Sequence, residues 1–154
     1  FNALRIGYAV VPRSLAPAFA RALYVTGRSC SVIEQMTLAA FLEDGGFARH
    51  VRKARSVYAG RRDRVMAMLR ETVGKAPLRV SGEQTGFHLV WWPPSGFDVA
   101  ALLARARERG VGIQPVADFC RRVSWPDGVV IGYSARQDAD LDRLEALLRE
   151  AARR

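Results

Sequence analysis

From Phe47 to Val73 the chain carries a sustained helical repeat, with Val51, Ala54, Val57, Tyr58, Arg61, Val65, Met68 and Leu69 spaced three and four apart. Arginines and Lys53 fill the opposite face, so the pattern predicts a long amphipathic rod with one side against a core. Gly74 and Pro77 end it, and the sequence changes character there. A rod of this kind between two stretches of different pattern reads as a connector. The expected division is residues 1–73, the end of a larger domain with its connecting helix, and residues 74–154, a small C-terminal domain.

After the rod, residues 78–80 and 86–92 read as strands joined by the turn Ser81-Gly82-Glu83-Gln84, with Pro93-Pro94 stopping the second. Asp98 caps a helix over 99–109 that Gly110 ends; 111–116 and 129–134 read as strands; Asp138 opens a last helix with Leu144, Leu147 and Leu148 on one face. The order β-β-α-β-β-α predicts a small sheet covered by two helices. Before the rod, residues 14–23 start as a helix that Gly27 ends. A very apolar helix runs from Val32 to the stop at Glu43-Asp44-Gly45-Gly46, polar only at Glu34, Gln35 and Thr37. A helix that apolar needs cover, from its own protein or from a second subunit.

Leu4-Arg5-Ile6-Gly7-Tyr8-Ala9-Val10-Val11-Pro12 reads as a strand buried on both faces. With no capping turn before it, it is expected to pair with strands upstream, so the chain reads as the C-terminal part of a larger α/β protein. Arg5 inside such a strand needs an anionic partner. A salt bridge to a carboxylate and a bidentate clamp on a phosphate or carboxylate ligand both satisfy that need.

The 154 residues, 49% hydrophobic and 25% charged, suffice to bury a core. No apolar run reaches the roughly 18–20 residues of a membrane span, which leaves a soluble, cytoplasmic protein as the expectation. Cys30 and Cys120 lie in neither a CxxC nor a metal-ligand spacing and are expected to be reduced and buried. The formal charge of +9 is almost all arginine, since Lys53 and Lys75 are the lysines. It fits genomic base composition as well as a phosphate-binding face, and no aromatic-plus-basic motif or zinc-finger spacing accompanies it. The residues show no nucleophile–base pair, no paired carboxylates and no Gly-rich phosphate loop. His50 reads as a surface histidine among arginines and His88 as a packed strand histidine, so no metal site is expected.

Leu4-Arg5-Ile6-Gly7-Tyr8 resembles the stretch after the Schiff-base lysine of fold-type I pyridoxal-phosphate (PLP) aminotransferases. The likeness extends to Glu34-Gln35 with Ala39, Gly45-Gly46-Phe47, His50, Arg52, Arg55, Tyr58 and Arg61-Arg62-Asp63. That run is similar to the aminotransferase-like domain of MocR-type members of the GntR transcription regulators. Gly86-Phe87-His88 and Gly110-Val111-Gly112-Ile113 with Pro115 match later strands of the same family.

The resemblance implies the end of the large PLP-binding domain plus the small α+β domain of fold-type I. It implies that Arg5 pairs with the cofactor's phosphate and that the lysine falls just upstream of Phe1, so the chain alone is expected to be inactive. The intact protein is expected to be a homodimer that senses PLP or an amino-acid or amine effector and binds DNA through an N-terminal winged-helix domain. Ser29 to Ser31 would approach the neighbouring subunit's cofactor. Val130 stands where many members carry the arginine that grips a substrate carboxylate, with Arg121, Arg122 or Arg136 as spatial substitutes. The rival reading is the C-terminal part of a metabolic aminotransferase.

Overall fold

A computed structural model describes residues 6–27, 31–84, 86–123, 125–134 and 137–152. In chain order the elements are α1 (Ala16–Val25), α2 (Val32–Glu43), α3 (Gly46–Val73), β1 (Arg79–Ser81), β2 (His88–Trp92), α4 (Val99–Glu108), β3 (Ile113–Pro115), a 3-10 turn (Val116–Phe119), β4 (Val129–Gly132) and α5 (Asp138–Ala151). The chain divides into two compact units, Phe1–Lys53 and Ala54–Arg154, with the division falling inside α3. At 28 residues this helix is about 42 Å long.

In the second unit a four-stranded sheet has the order β1-β2-β4-β3, every neighbouring pair antiparallel. The helices lie on one face. Leu89 and Trp91 of β2 and Val129 and Ile131 of β4 point into a core completed by Val65, Met68 and Leu69 of α3, Leu102 and Ala106 of α4, and Leu141, Leu144, Leu147 and Leu148 of α5. The three-and-four spacing on α3 coincides with buried side chains only toward its C-terminal end, at Val65, Met68 and Leu69, while Val57 is 40% exposed. Asp98 caps α4 by accepting from the Ala101 amide at 2.8 Å, and Gln137 with Asp140 forms a capping box on α5. Arg64 on α3 pairs with Asp142 and Glu145 of α5. The predicted strands at 111–116 and 129–134 are shorter than expected because the chain turns at Val116 and leaves the ladder after Gly132.

Two expectations about burial are corrected. His88 is exposed, because the antiparallel register with β4 turns Leu89 and Trp91 inward and leaves His88 on the opposite face. Cys120 is a free thiol but only half-buried, its Sγ 3.3 Å from the Val116 carbonyl oxygen; Cys30 lies outside the described residues.

In the first unit, the strand expected at 4–11 is not formed over residues 6–12, which have no regular structure, and Tyr8 and Val10 are more than nine-tenths exposed. A strand of this kind holds its shape through partner strands, and no strand of the described residues pairs with it. Helix α1 starts at Ala16 with no side-chain cap, so Ser14 does not serve as one. No apolar side chain of α1 or α2 is buried. Ile33, Met36 and Tyr24 are exposed at 77%, 68% and 88%.

Candidate functional site

Helix α3, the turn between β1 and β2, and the end of β4 meet at one hollow of about 480 Å3, lined by Arg55, Tyr58, Arg62, Glu83, Phe87 and Tyr133 among others. Arginines at consecutive positions of α3 tie these elements together. Arg61 Nη1 donates to the Ser134 carbonyl oxygen at 2.6 Å, holding the chain just past β4. Arg62 Nη1 donates to the Glu83 carbonyl oxygen at 3.4 Å, holding the turn. Its Nε and Nη2 donate to Asp63 Oδ1 at 3.0 and 2.8 Å, and this bond keeps the Arg62 guanidinium protonated beyond arginine's ordinary range.

Aromatic contacts close the rest of the wall. Tyr58 meets Phe87 edge to face at 5.7 Å, and the Tyr133 hydroxyl donates to the Gly86 carbonyl oxygen at 3.2 Å. Gly86 has φ +99°, a conformation that side chains of L residues rarely adopt, so glycine here lets the turn reach Tyr133. The Arg61-Arg62-Asp63 and Gly86-Phe87 motifs are therefore one structural assembly, brought together across the sheet's end.

A second concavity lies on the sheet face opposite the core, lined by His88, Val90, Gly112, Gln114, Val116, Phe119, Val130 and Gly132. Val130 sits at its centre, paired with Val90 on one side and Gln114 on the other. The position is occupied by an aliphatic side chain, flanked in the ladder by aliphatic Val90 and polar Gln114. Arg121 and Arg122 are exposed in the loop after the 3-10 turn, and Arg136 lies outside the described residues.

Of the other residues singled out in the sequence, Arg5 and Ser29 lie outside the described residues; Ser31 is the N-cap residue of α2 without a side-chain cap bond. His50 is exposed on α3. Among the described residues no group of three or more histidine, cysteine, aspartate and glutamate side chains is placed to hold a metal. Glu83 and Tyr133 belong to the hollow but carried no sequence signal. One is an ordinary turn residue, and the other lies in the stretch 129–134 expected as a strand, whose facing direction alternation alone leaves open and which leaves the ladder after Gly132.

No family model matches the chain. Its fold is that of the C-terminal part of a fold-type I aminotransferase. It superimposes on LysN, the alpha-aminoadipate aminotransferase of Thermus thermophilus, with TM-score 0.75 at 20% identity, over 97% of this chain and 39% of that one. It superimposes on the kynurenine aminotransferase of Pyrococcus horikoshii with TM-score 0.70 at 20% identity, over 90% of this chain and 35% of that one.

In sequence it is similar to HTH-type regulators. It is 31% identical over 134 residues to the "Probable rhizopine catabolism regulatory protein MocR" of Rhizobium meliloti, covering 87% of this chain and 27% of that protein. It is 25% identical over 138 residues to the HTH-type transcriptional regulator YdeL of Bacillus subtilis, covering 90% of this chain and 30% of that one. Fold and sequence together support a fragment of the aminotransferase-like domain of a MocR-type regulator, and the chain spans less than a third of the length of these relatives.

Proposed function

We infer that the chain is the C-terminal part of a PLP-binding, effector-sensing domain in a bacterial MocR-type transcription regulator. The observation that carries this reading is the coincidence of an aminotransferase fold with a sequence match to HTH-type regulators over most of the chain. Residues 1–73 would be the end of the large domain with its connecting helix and 74–154 the small domain, with the C-terminal half of α3 seated on the small domain's core.

In the intact protein PLP supplies an electron sink for chemistry at an amine carbon. Arg5, from the sequence match alone, would hold the cofactor's phosphate through the fork geometry of its guanidinium. A homodimer, an amino-acid or amine effector, a cytoplasmic location and DNA binding by an N-terminal winged-helix domain complete the reading. No helix among the described residues is long and apolar enough to cross a membrane. Support for the cofactor is that LysN was solved with a phosphopyridoxyl-leucine adduct. The exposed apolar surface of α1 and α2 suits a fragment whose cover is elsewhere in a larger assembly.

Neither lysine of this chain is suited to carry the cofactor: Lys53 is exposed on α3 and Lys75 sits in the turn after it. Treatment of this chain with PLP and borohydride is expected to leave no unique pyridoxyl-lysine on peptide mapping; a stoichiometric adduct at Lys53 or Lys75 would sink the assignment. For the protein from which this chain derives, operator binding that changes with PLP and an amine marks the regulator. Transamination without DNA affinity marks the metabolic aminotransferase instead.

A further inference from the structure

The hollow at the turn between β1 and β2 holds opposite charges that are not paired with each other. Arg62 is occupied by Asp63 and by the Glu83 main chain. Glu83 lines the hollow, and its carboxylate enters no ion pair among the described residues. Arg55 lines the same hollow and likewise forms no ion pair among the described residues, and Tyr58, three positions on along α3, lines it too, its hydroxyl in no hydrogen bond among the described residues. Tyr58, Phe87 and Tyr133 supply aromatic walls. One hollow is thus lined by an arginine and a glutamate that enter no ion pair among the described residues, the glutamate within electrostatic reach of Arg62, and by aromatic rings whose faces attract an ammonium group.

We propose that this hollow binds a small zwitterionic amino acid, its carboxylate on Arg55 and Tyr58 and its ammonium on Glu83 and the aromatic walls. A single anion would meet the Glu83 charge and a single cation the Arg55 charge; a molecule carrying both signs matches both. The volume, about 480 Å3, accommodates an amino acid of ordinary size. Every residue involved belongs to the compact unit Ala54–Arg154, so the site needs neither the cofactor nor Arg5. It goes beyond the PLP reading and stands or falls separately from it.

The test uses this chain, isotope-labelled, with backbone amide shifts followed by NMR during titration with L-leucine, L-leucine methyl ester and N-acetyl-L-leucine. The ester lacks the carboxylate and the acetyl derivative lacks the ammonium. Leucine is expected to shift amides at Arg55, Glu83, Gln84 and Phe87, with an affinity about tenfold above either analogue. Arg55→Gln should remove the preference over the ester while keeping the preference over the acetyl derivative, and Glu83→Gln should do the reverse. Glu83→Gln is isosteric and Arg55→Gln shortens an exposed side chain, and an unchanged thermal midpoint verifies the fold. Equal shifts from all three ligands, shifts elsewhere in the unit, or none at about 10 mM would overturn the proposal, as would variants that lose both preferences together.

Discussion

Trp91→Ala is expected to remove about 3–5 kcal/mol from the stability of the small unit, a large share of the roughly 5–15 kcal/mol available to a domain. Trp91 is fully buried at the centre of β2, between Val80 of β1 and Val129 of β4 in the ladder, and its ring meets Phe97 edge to face at 5.0 Å. Its indole Nε1 is buried without a hydrogen-bond partner among the described residues. That isolated donor makes the companion substitution informative. Trp91→Phe loses part of the ring volume but also removes a buried polar group whose desolvation costs about 1–3 kcal/mol, so the net change should stay below about 2 kcal/mol. Urea unfolding followed by far-ultraviolet circular dichroism measures both. If phenylalanine costs as much as alanine, the indole N–H is satisfied in solution and the account of this position is wrong.

Gly128→Ala should cost about 1–3 kcal/mol, whereas Gly132→Ala, four residues on, should be near neutral. A Cβ on Gly128 would lie 2.7 Å from two carbons of the Trp92 ring and 2.8 Å from a Val116 methyl. The ring has little room to yield, because its Nε1 donates to Ser81 Oγ at 2.9 Å and Trp125 packs against it at 6.2 Å. At Gly132 an added Cβ meets nothing within 4 Å. Both are changes from glycine to alanine, so their difference in thermal midpoint isolates the close approach from the backbone entropy of glycine. A shift in tryptophan emission for the first variant alone would locate the strain at Trp92. Equal midpoints would show that the Trp92 ring moves aside freely.

These two positions also show what local pattern can and cannot reveal. The long repeat at 47–73 predicts α3 and, toward its C-terminal end, the buried Val65, Met68 and Leu69, because helical spacing identifies a face whatever the partner is; Val57 on the same stripe is exposed. The last helix and its leucine face were legible for the same reason, as was the stop at Pro93-Pro94. The strand at residues 4–11 was not realised over 6–12, since strand geometry depends on a neighbour's hydrogen bonds while a helix makes its own. Arg5 lies outside the described residues, so its assignment rests on the sequence match.

Within the candidate site, Arg61-Arg62-Asp63 and Gly86-Phe87 could be picked out as motifs, but nothing local joins them. The hydrogen bonds from Arg61 to Ser134 and from Arg62 to Glu83 span 73 and 21 residues. Glu83 and Tyr133 enter the hollow only through those ties.

By itself the sequence determined the order and type of the helices and of the four sheet strands, the C-terminal part of the long helix's buried stripe and the likeness to MocR-type regulators, because each is written in local spacing and motif. Tertiary structure decided which face of β2 is the core. The run His88-Leu89-Val90-Trp91-Trp92 is apolar on both sides, so alternation offers two equal choices. Pairing with β4 and packing against the helices select Leu89 and Trp91, placing His88 and Trp92 on the opposite face. That selection is a long-range balance of buried area, a quantity that exists only once distant segments have met.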